Sequence, residues 1–157
     1  MKILLFVTGK TDEPYLEEGI RKYADRIFHY LPFEIVVFQD LKNRRSLSPD
    51  QQKKLEGEVI LSKLQSGDEV FLLDEKGRQP SSRGFSEIIE KQMLSGQKRL
   101  IFVVGGPYGF SAEMYARAQG KLSLSAMTFS HQMVRLIFVE QLYRALTIIK
   151  GEQYHND

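Results

Sequence analysis

The chain has 157 residues, 42% hydrophobic and 27% charged, with a formal net charge of +2; this is ordinary globular usage and predicts one domain, 1–157, with a real core. It has no cysteine, which excludes a disulfide framework and a thiolate metal site and fits a reducing, cytoplasmic setting. No apolar run is long enough to span a membrane or, at the N-terminus, to read as a signal peptide, and a pI near 8.8 permits a polyanionic partner without requiring one.

"ILLFV" (Ile3 to Val7) is a short apolar run closed by Thr8-Gly9 and predicts a buried strand. Pro14 opens a helix in which Tyr15, Leu16, Ile20, Tyr23, Ile27 and Phe28 recur at helical spacing up to Leu31, before Pro32. "FEIVVF" (Phe33 to Phe38) is a second strand. The segment after it is the least core-like of the chain and puts Arg44 and Arg45 in a loop. Ser48-Pro49 then begins a polar helix carrying Leu55, Val59, Ile60 and Leu64. "EVFLLD" (Glu69 to Asp74) predicts a third strand with Lys76-Gly77 as its turn, and Ser81 or Ser82 caps a helix through about Leu94. "RLIFVV" (Arg99 to Val104) is a fourth strand, Ser111 caps a short helix, "KLSLS" is a brief fifth strand, and a long apolar helix runs from about His131 to Ile149.

Strands alternating with helices predict an α/β fold with a mainly parallel sheet and flanking helices. Such sheets bind ligands beyond the carboxyl ends of their strands, which singles out Leu73 to Gly77, Val103 to Ser111 and Leu122 to His131. Gly105, Gly106 and Gly109 follow a buried strand but lack the P-loop lysine and the full Rossmann spacing, so a tight structural turn competes with a ligand loop. Ser123, Ser125 and Thr128 interleave with Leu122, Leu124, Met127 and Phe129, a pattern that suits either a flat heterocycle held by backbone groups or a strand followed by a cap. The last helix is apolar almost all round, which predicts burial divided between core and dimer interface. His131 and Arg135 share a face near its start. Arg144 lies four residues after Glu140, where a plain salt bridge weighs as much as a functional role. The three histidines are scattered, no His/Asp/Glu cluster has metal-ligand spacing, and no metal is expected. The chain closes on Tyr154-His155-Asn156-Asp157, a terminal position that predicts a segment with few core contacts and little weight in stability.

"LLDEKG", "GGPYGFS", "LSLSAMTFSHQMVR", "EQLYRA" and the closing "YH" together resemble the RlmH family of SPOUT methyltransferases over essentially the whole chain. The resemblance implies methylation of N3 of a pseudouridine in bacterial large-subunit ribosomal RNA, with S-adenosylmethionine as cofactor; the modest net charge and the lack of a long basic arm favour assembled ribosomes as substrate. It implies a homodimer and a C-terminal trefoil knot, which fold-level rules would not suggest. Cofactor contacts carry over to Leu73, Gly105, Leu124, Ser125, Ala126, Met127, Thr128 and Phe129. The RNA-facing positions carry over to Arg135, Tyr143, Arg144, Tyr154 and His155. Loss of the N3 proton calls for a base and a cation, which makes His155, ahead of His131, the candidate proton acceptor and Arg135 or Arg144 the cation, with Tyr154 set to stack on or orient the nucleotide. Two departures are Ser130, where many relatives have proline, and Asn156-Asp157, where many have a basic residue. A SPOUT enzyme acting on another RNA position, a non-catalytic cofactor or RNA module, and an unrelated nucleotide-binding domain are the competing readings.

Overall fold

The computed structural model describes residues 1–157. Its strands are β1 (Lys2–Thr8), β2 (Phe33–Phe38), β3 (Glu69–Arg78), β4 (Arg99–Val104) and β5 (Gly120–Leu122), and its helices α1 (Pro14–Phe28), α2 (Pro49–Leu61), α3 (Ser82–Leu94), α4 (Ala112–Arg117) and α5 (Met133–Lys150). The strands form one sheet in the order β2-β1-β4-β3-β5, with every pairing parallel.

Both faces of this sheet are covered, which is why its central strands read as continuous apolar runs rather than alternating ones. Side chains of period two divide between two cores. Ile3, Leu5, Val7, Leu100, Phe102 and Val104 pack with Leu16, Phe85 and Phe138 of α1, α3 and α5. Leu4, Phe6, Ile101 and Val103 pack on the other face with Ile60 of α2 and Met114 of α4. Helix α5 is the keystone of the first layer. Its Phe138, Val139, Leu142 and Ala145 are fully buried within the single chain, so most of its apolar character is used by its own core. Ile137 and Ile148 are only half-buried, and Ile149, also half-buried, packs against that core.

Five boundaries differ from the sequence expectation. Helix α2 ends at Leu61, leaving Leu64 outside it. Helix α1 ends at Phe28, with a turn before Pro32. Helix α5 starts at Met133, leaving His131 outside it. Strand β5 is only three residues long. Strand β3 does not turn at Lys76-Gly77 but runs to Arg78, and both Leu73 and Arg78 pair with Leu122, so Asp74 to Gly77 bulge out between them. Gly77 is required where the chain returns: a Cβ there would lie 2.6 Å from the Leu122 nitrogen and the Lys121 carbonyl carbon. The second demanding glycine is Gly151, at φ 71°, which caps α5. Its left-handed backbone reverses the chain, so the tail folds back along α5 instead of leaving it.

Candidate active site

The carboxyl ends of β3, β4 and β5 open into a cleft of about 470 Å³, within the range of small-molecule sites. Its walls are the β3 bulge (Leu73 to Lys76), the glycine loop (Gly105 to Phe110) and the segment from Leu122 to His131. Of the expected cofactor positions, Leu73, Gly105, Leu124, Ser125, Met127, Thr128 and Phe129 line it; Ala126 does not, and His131 stands exposed on its rim.

The segment after β5 is pinned at two places. Ser123 Oγ donates to the Ser125 carbonyl at 2.9 Å, and the Met127 N–H donates to Ser125 Oγ at 2.9 Å. The serines are therefore hinges of a wound loop. Through this loop the backbone N–H groups of Leu124, Ser125, Ala126, Thr128 and Phe129 have no protein acceptor, while Leu73, Leu124, Met127 and Phe129 supply apolar surface beside them. Free backbone donors next to apolar walls fit a flat heterocycle carrying a polar chain. On the opposite wall Tyr115 of α4 donates to the Asp74 carboxylate. Burial, then that carboxylate, pushes the Tyr115 phenol up to about 12.

The glycine loop is packed from behind. A Cβ on Gly105 would meet the Phe110 ring at 3.0 Å, and one on Gly106 would meet Glu56 Oε2 at 2.7 Å. The loop thus packs closely on Phe110 and Glu56 behind it. Glu56 of α2 is half-buried there, accepts from Gln52 Nε2 at 3.0 Å, and is raised in pKa by its desolvation. Sequence reasoning missed Glu56 and Gln52, because in a polar helix their i,i+4 spacing reads as a solvated face. It also missed Tyr115, which α4 brings to the cleft; Asp74 and Tyr108 fall within the strand-end stretches it singled out.

Arg135 is only 2% exposed. Its guanidinium donates to the carbonyls of Gly9 (2.9 Å), Thr8 (2.9 Å) and His131 (3.2 Å) and to Thr11 Oγ1 (3.2 Å). In this chain it is a clamp between the end of β1 and the start of α5, with no donor facing solvent. Desolvation lowers its pKa, opposed by Asp12 and Asp40.

The other expected positions form a second cluster on the distal half of α5. Arg144 Nη2 donates to Glu140 Oε1 at 2.5 Å, and that bond raises the pKa of Arg144. The Tyr154 hydroxyl donates to the same oxygen at 3.0 Å. The Tyr154 ring stands edge-on to Tyr143 at 4.8 Å, with the Arg144 guanidinium carbon 4.8 Å above it. Arg144 Nη1 lies 3.2 Å from His155 Nδ1 and Asp157 Oδ1 lies 3.0 Å from His155 Nε2. Because arginine only donates, Nδ1 must accept, and Nε2 carries the proton toward Asp157. Asp157 is in turn held by Arg83 Nε at 2.7 and 2.8 Å. The tail is therefore docked, contrary to the loose segment its terminal position predicts. Along α5, Val134 at the cleft and Arg144 at the tail are about 15 Å apart, so the two clusters do not meet within one chain. No group of three or more His, Asp or Glu side chains is arranged to hold a metal ion.

A wholly parallel, twice-covered sheet with a cleft of small-molecule size across three strand ends defines an α/β protein with its concavity where such sheets bind ligands. Residues 1–155 match the family described as "Predicted SPOUT methyltransferase". The chain is 59% identical over 156 residues to the ribosomal RNA large subunit methyltransferase H of Christiangramia forsetii, covering 99% of both chains. It is 57% identical over 157 residues to the protein of the same name from Parabacteroides distasonis, covering 100% of both. A solved structure titled as a probable methylase family protein from Haemophilus influenzae Rd KW20 superposes with a TM-score of 0.49 at 15% identity, over 95% of this chain and 66% of that one, a likeness too loose to build on. The chain belongs to the SPOUT methyltransferase family.

Proposed function

We propose that this chain, acting as one unit over residues 1–157, is the cytoplasmic homodimeric enzyme that transfers a methyl group from S-adenosylmethionine to N3 of a pseudouridine in bacterial large-subunit ribosomal RNA. The observation that carries this reading is the cleft: unpaired N–H groups of Leu124, Ser125, Thr128 and Phe129 beside apolar walls, in a chain whose full-length relatives are named as ribosomal RNA large subunit methyltransferases.

When bound, S-adenosylmethionine supplies an electrophilic methyl on a sulfonium. The N–H groups of the wound loop hydrogen-bond its heterocycle, and Leu73, Leu124, Met127 and Phe129 exclude water from its faces. The imide N3–H of the target base is a weak acid and must lose its proton before or during attack. His155 is the first candidate acceptor, with His131 on the cleft rim the second. In the docked tail the His155 lone pair is engaged by Arg144. Swinging Arg144 onto a carbonyl oxygen of the base frees that lone pair and places a cation where charge develops. Tyr154 then stacks on or orients the nucleotide. With about 15 Å of α5 between tail and cleft, the tail serves the cleft of a second copy, which is the reason for proposing a dimer.

The test is a labelled methyl-transfer assay on free ribosomal RNA, separate subunits and whole ribosomes, with the methylated nucleoside identified by mass spectrometry. N3-methylpseudouridine from large-subunit RNA, made best on assembled particles, is expected. Cofactor binding without methyl transfer to any of them would overturn the reading. Mixing a His155→Ala chain with a cleft-defective Gly77→Ala chain should restore partial activity if tails serve partner clefts.

A further inference from the structure

We propose that the turn between β2 and α2, residues 39–48, grips the phosphodiester backbone of the RNA substrate; this rests on the RNA methyltransferase reading above. The turn carries Lys42, Arg44 and Arg45 against a single acid, Asp40. Its formal charge is +2.

These cations are free to bind. All three are exposed. Arg44 makes one contact, to Asp40 at 3.3 Å, and the side chains of Lys42 and Arg45 make no hydrogen bond or ion pair within the chain. The turn is also shaped. Asn43 holds φ 58°, the one non-glycine residue at positive φ, and its carbonyl accepts from the Ser46 N–H and Oγ at 3.0 and 2.8 Å. A capping box at Ser48 and Gln51 fixes the entry to α2. A run of charges on a loose loop is ordinarily a solvated surface. Here the arginines stand on a built 3₁₀ turn around a hollow they line with Leu41, Asn43 and Ser46, so less backbone freedom is lost when a phosphate is taken up.

The location suits a strand of RNA whose base enters the cleft. The turn follows the carboxyl end of β2, on the same edge of the sheet as the cleft. Only β1 separates β2 from β4, which puts their ends about 10 Å apart. Glu56 lies within electrostatic reach of Arg44 on one side and of His131 on the cleft rim on the other. No apolar side chain of the turn is fully exposed, whereas a protein-binding surface would offer an apolar centre. Guanidinium and ammonium groups without apolar company are the chemistry of phosphate contact.

The experiment compares wild type, Lys42→Ala/Arg45→Ala, and a control of equal charge, Lys63→Ala/Lys98→Ala, whose exposed lysines precede β3 and β4 at the opposite edge. Binding to large-subunit ribosomal RNA and to intact large subunits is measured across a salt series, with S-adenosylmethionine affinity as the check on folding. Each lost single-strand phosphate contact lowers the salt slope by about 0.7. The turn variant should therefore lose ~1.4 in slope and bind about 25-fold more weakly at 0.1 M salt, with the cofactor affinity and the control unchanged. A wild-type slope in the turn variant, or an equal loss in the control, would overturn the proposal. A loss confined to intact subunits would also overturn it, assigning the turn to a ribosomal protein. Because binding is read without turnover, a wild type that binds RNA through this turn yet methylates none would refute the methyltransferase reading alone.

Discussion

Replacing Tyr154 by alanine measures how firmly the tail is docked. The change removes an edge-on contact with Tyr143, worth about 1 kcal/mol. It removes the ring beneath Arg144, worth ~0.5–1 kcal/mol at a half-exposed site. It also removes the hydroxyl bond to the Glu140 carboxylate, worth about 1.5 kcal/mol for a charged acceptor. The total is about 3 kcal/mol, which in a chain of 157 residues corresponds to a fall in Tm of about 6–12 °C. Tyr154→Phe keeps the ring and should lose roughly half of that. The assay is calorimetric or fluorescence melting at one fixed protein concentration, because any dimer makes Tm concentration-dependent. If both variants melt within about 1 °C of wild type, the tail is frayed in solution and the network around Arg144 does not hold it.

Gly77→Ala has no room for its methyl against the β5 backbone and should cost about 2–3 kcal/mol; calorimetry should show cofactor binding lost with it, and unchanged binding would contradict the strand return. Arg135→Met strands the carbonyls of Thr8 and Gly9 and should lower urea stability by about 3 kcal/mol, with faster amide exchange at residues 9–11. Glu56→Gln carries a pH signature. Burial raises the folded carboxyl's pKa above its unfolded value, so its favourable contribution is present below the unfolded pKa and lost as pH rises through the folded one. The variant should therefore melt higher than wild type at pH 8 and equally at pH 4; equal melting at both would mean the carboxylate is solvated.

The layers of this fold were legible because their causes are local. "ILLFV" and "RLIFVV" are apolar on both faces, which only a strand covered twice requires, and Ser48, Ser81 and Ser111 announce helix starts through a hydroxyl that caps the backbone. The order β2-β1-β4-β3-β5 was not legible, because it depends on which strand edges meet over separations that no periodicity encodes. The same holds for the β3 bulge: Gly77 reads as a turn residue until the backbone of β5, more than forty residues on, is known to press against it.

The candidate site divides along the same line. The cleft's backbone segments were visible as small residues after strands. The contacts behind them were not, since Gly105 packs on the Phe110 ring of its own motif and Gly106 on Glu56 from a distant helix. The tail misled for an instructive reason. Terminal position predicts fraying only when the last residues lack anchors, and "GEQYHND" begins with a residue able to turn the chain back. Once Gly151 has reversed it, Glu152 reaches the Tyr30 hydroxyl at 2.5 Å and Tyr154 reaches Glu140. The Tyr30 phenol is raised to about 12, by burial and then by that carboxylate. Asp157 meets Arg83 and accepts from His155 Nε2, so that the Nδ1 lone pair faces Arg144. A cation at that position would leave Arg83 unpaired and His155 without its Nε2 acceptor. The end of this chain therefore stores the imidazole in an engaged tautomer, and its release depends on whatever draws Arg144 away.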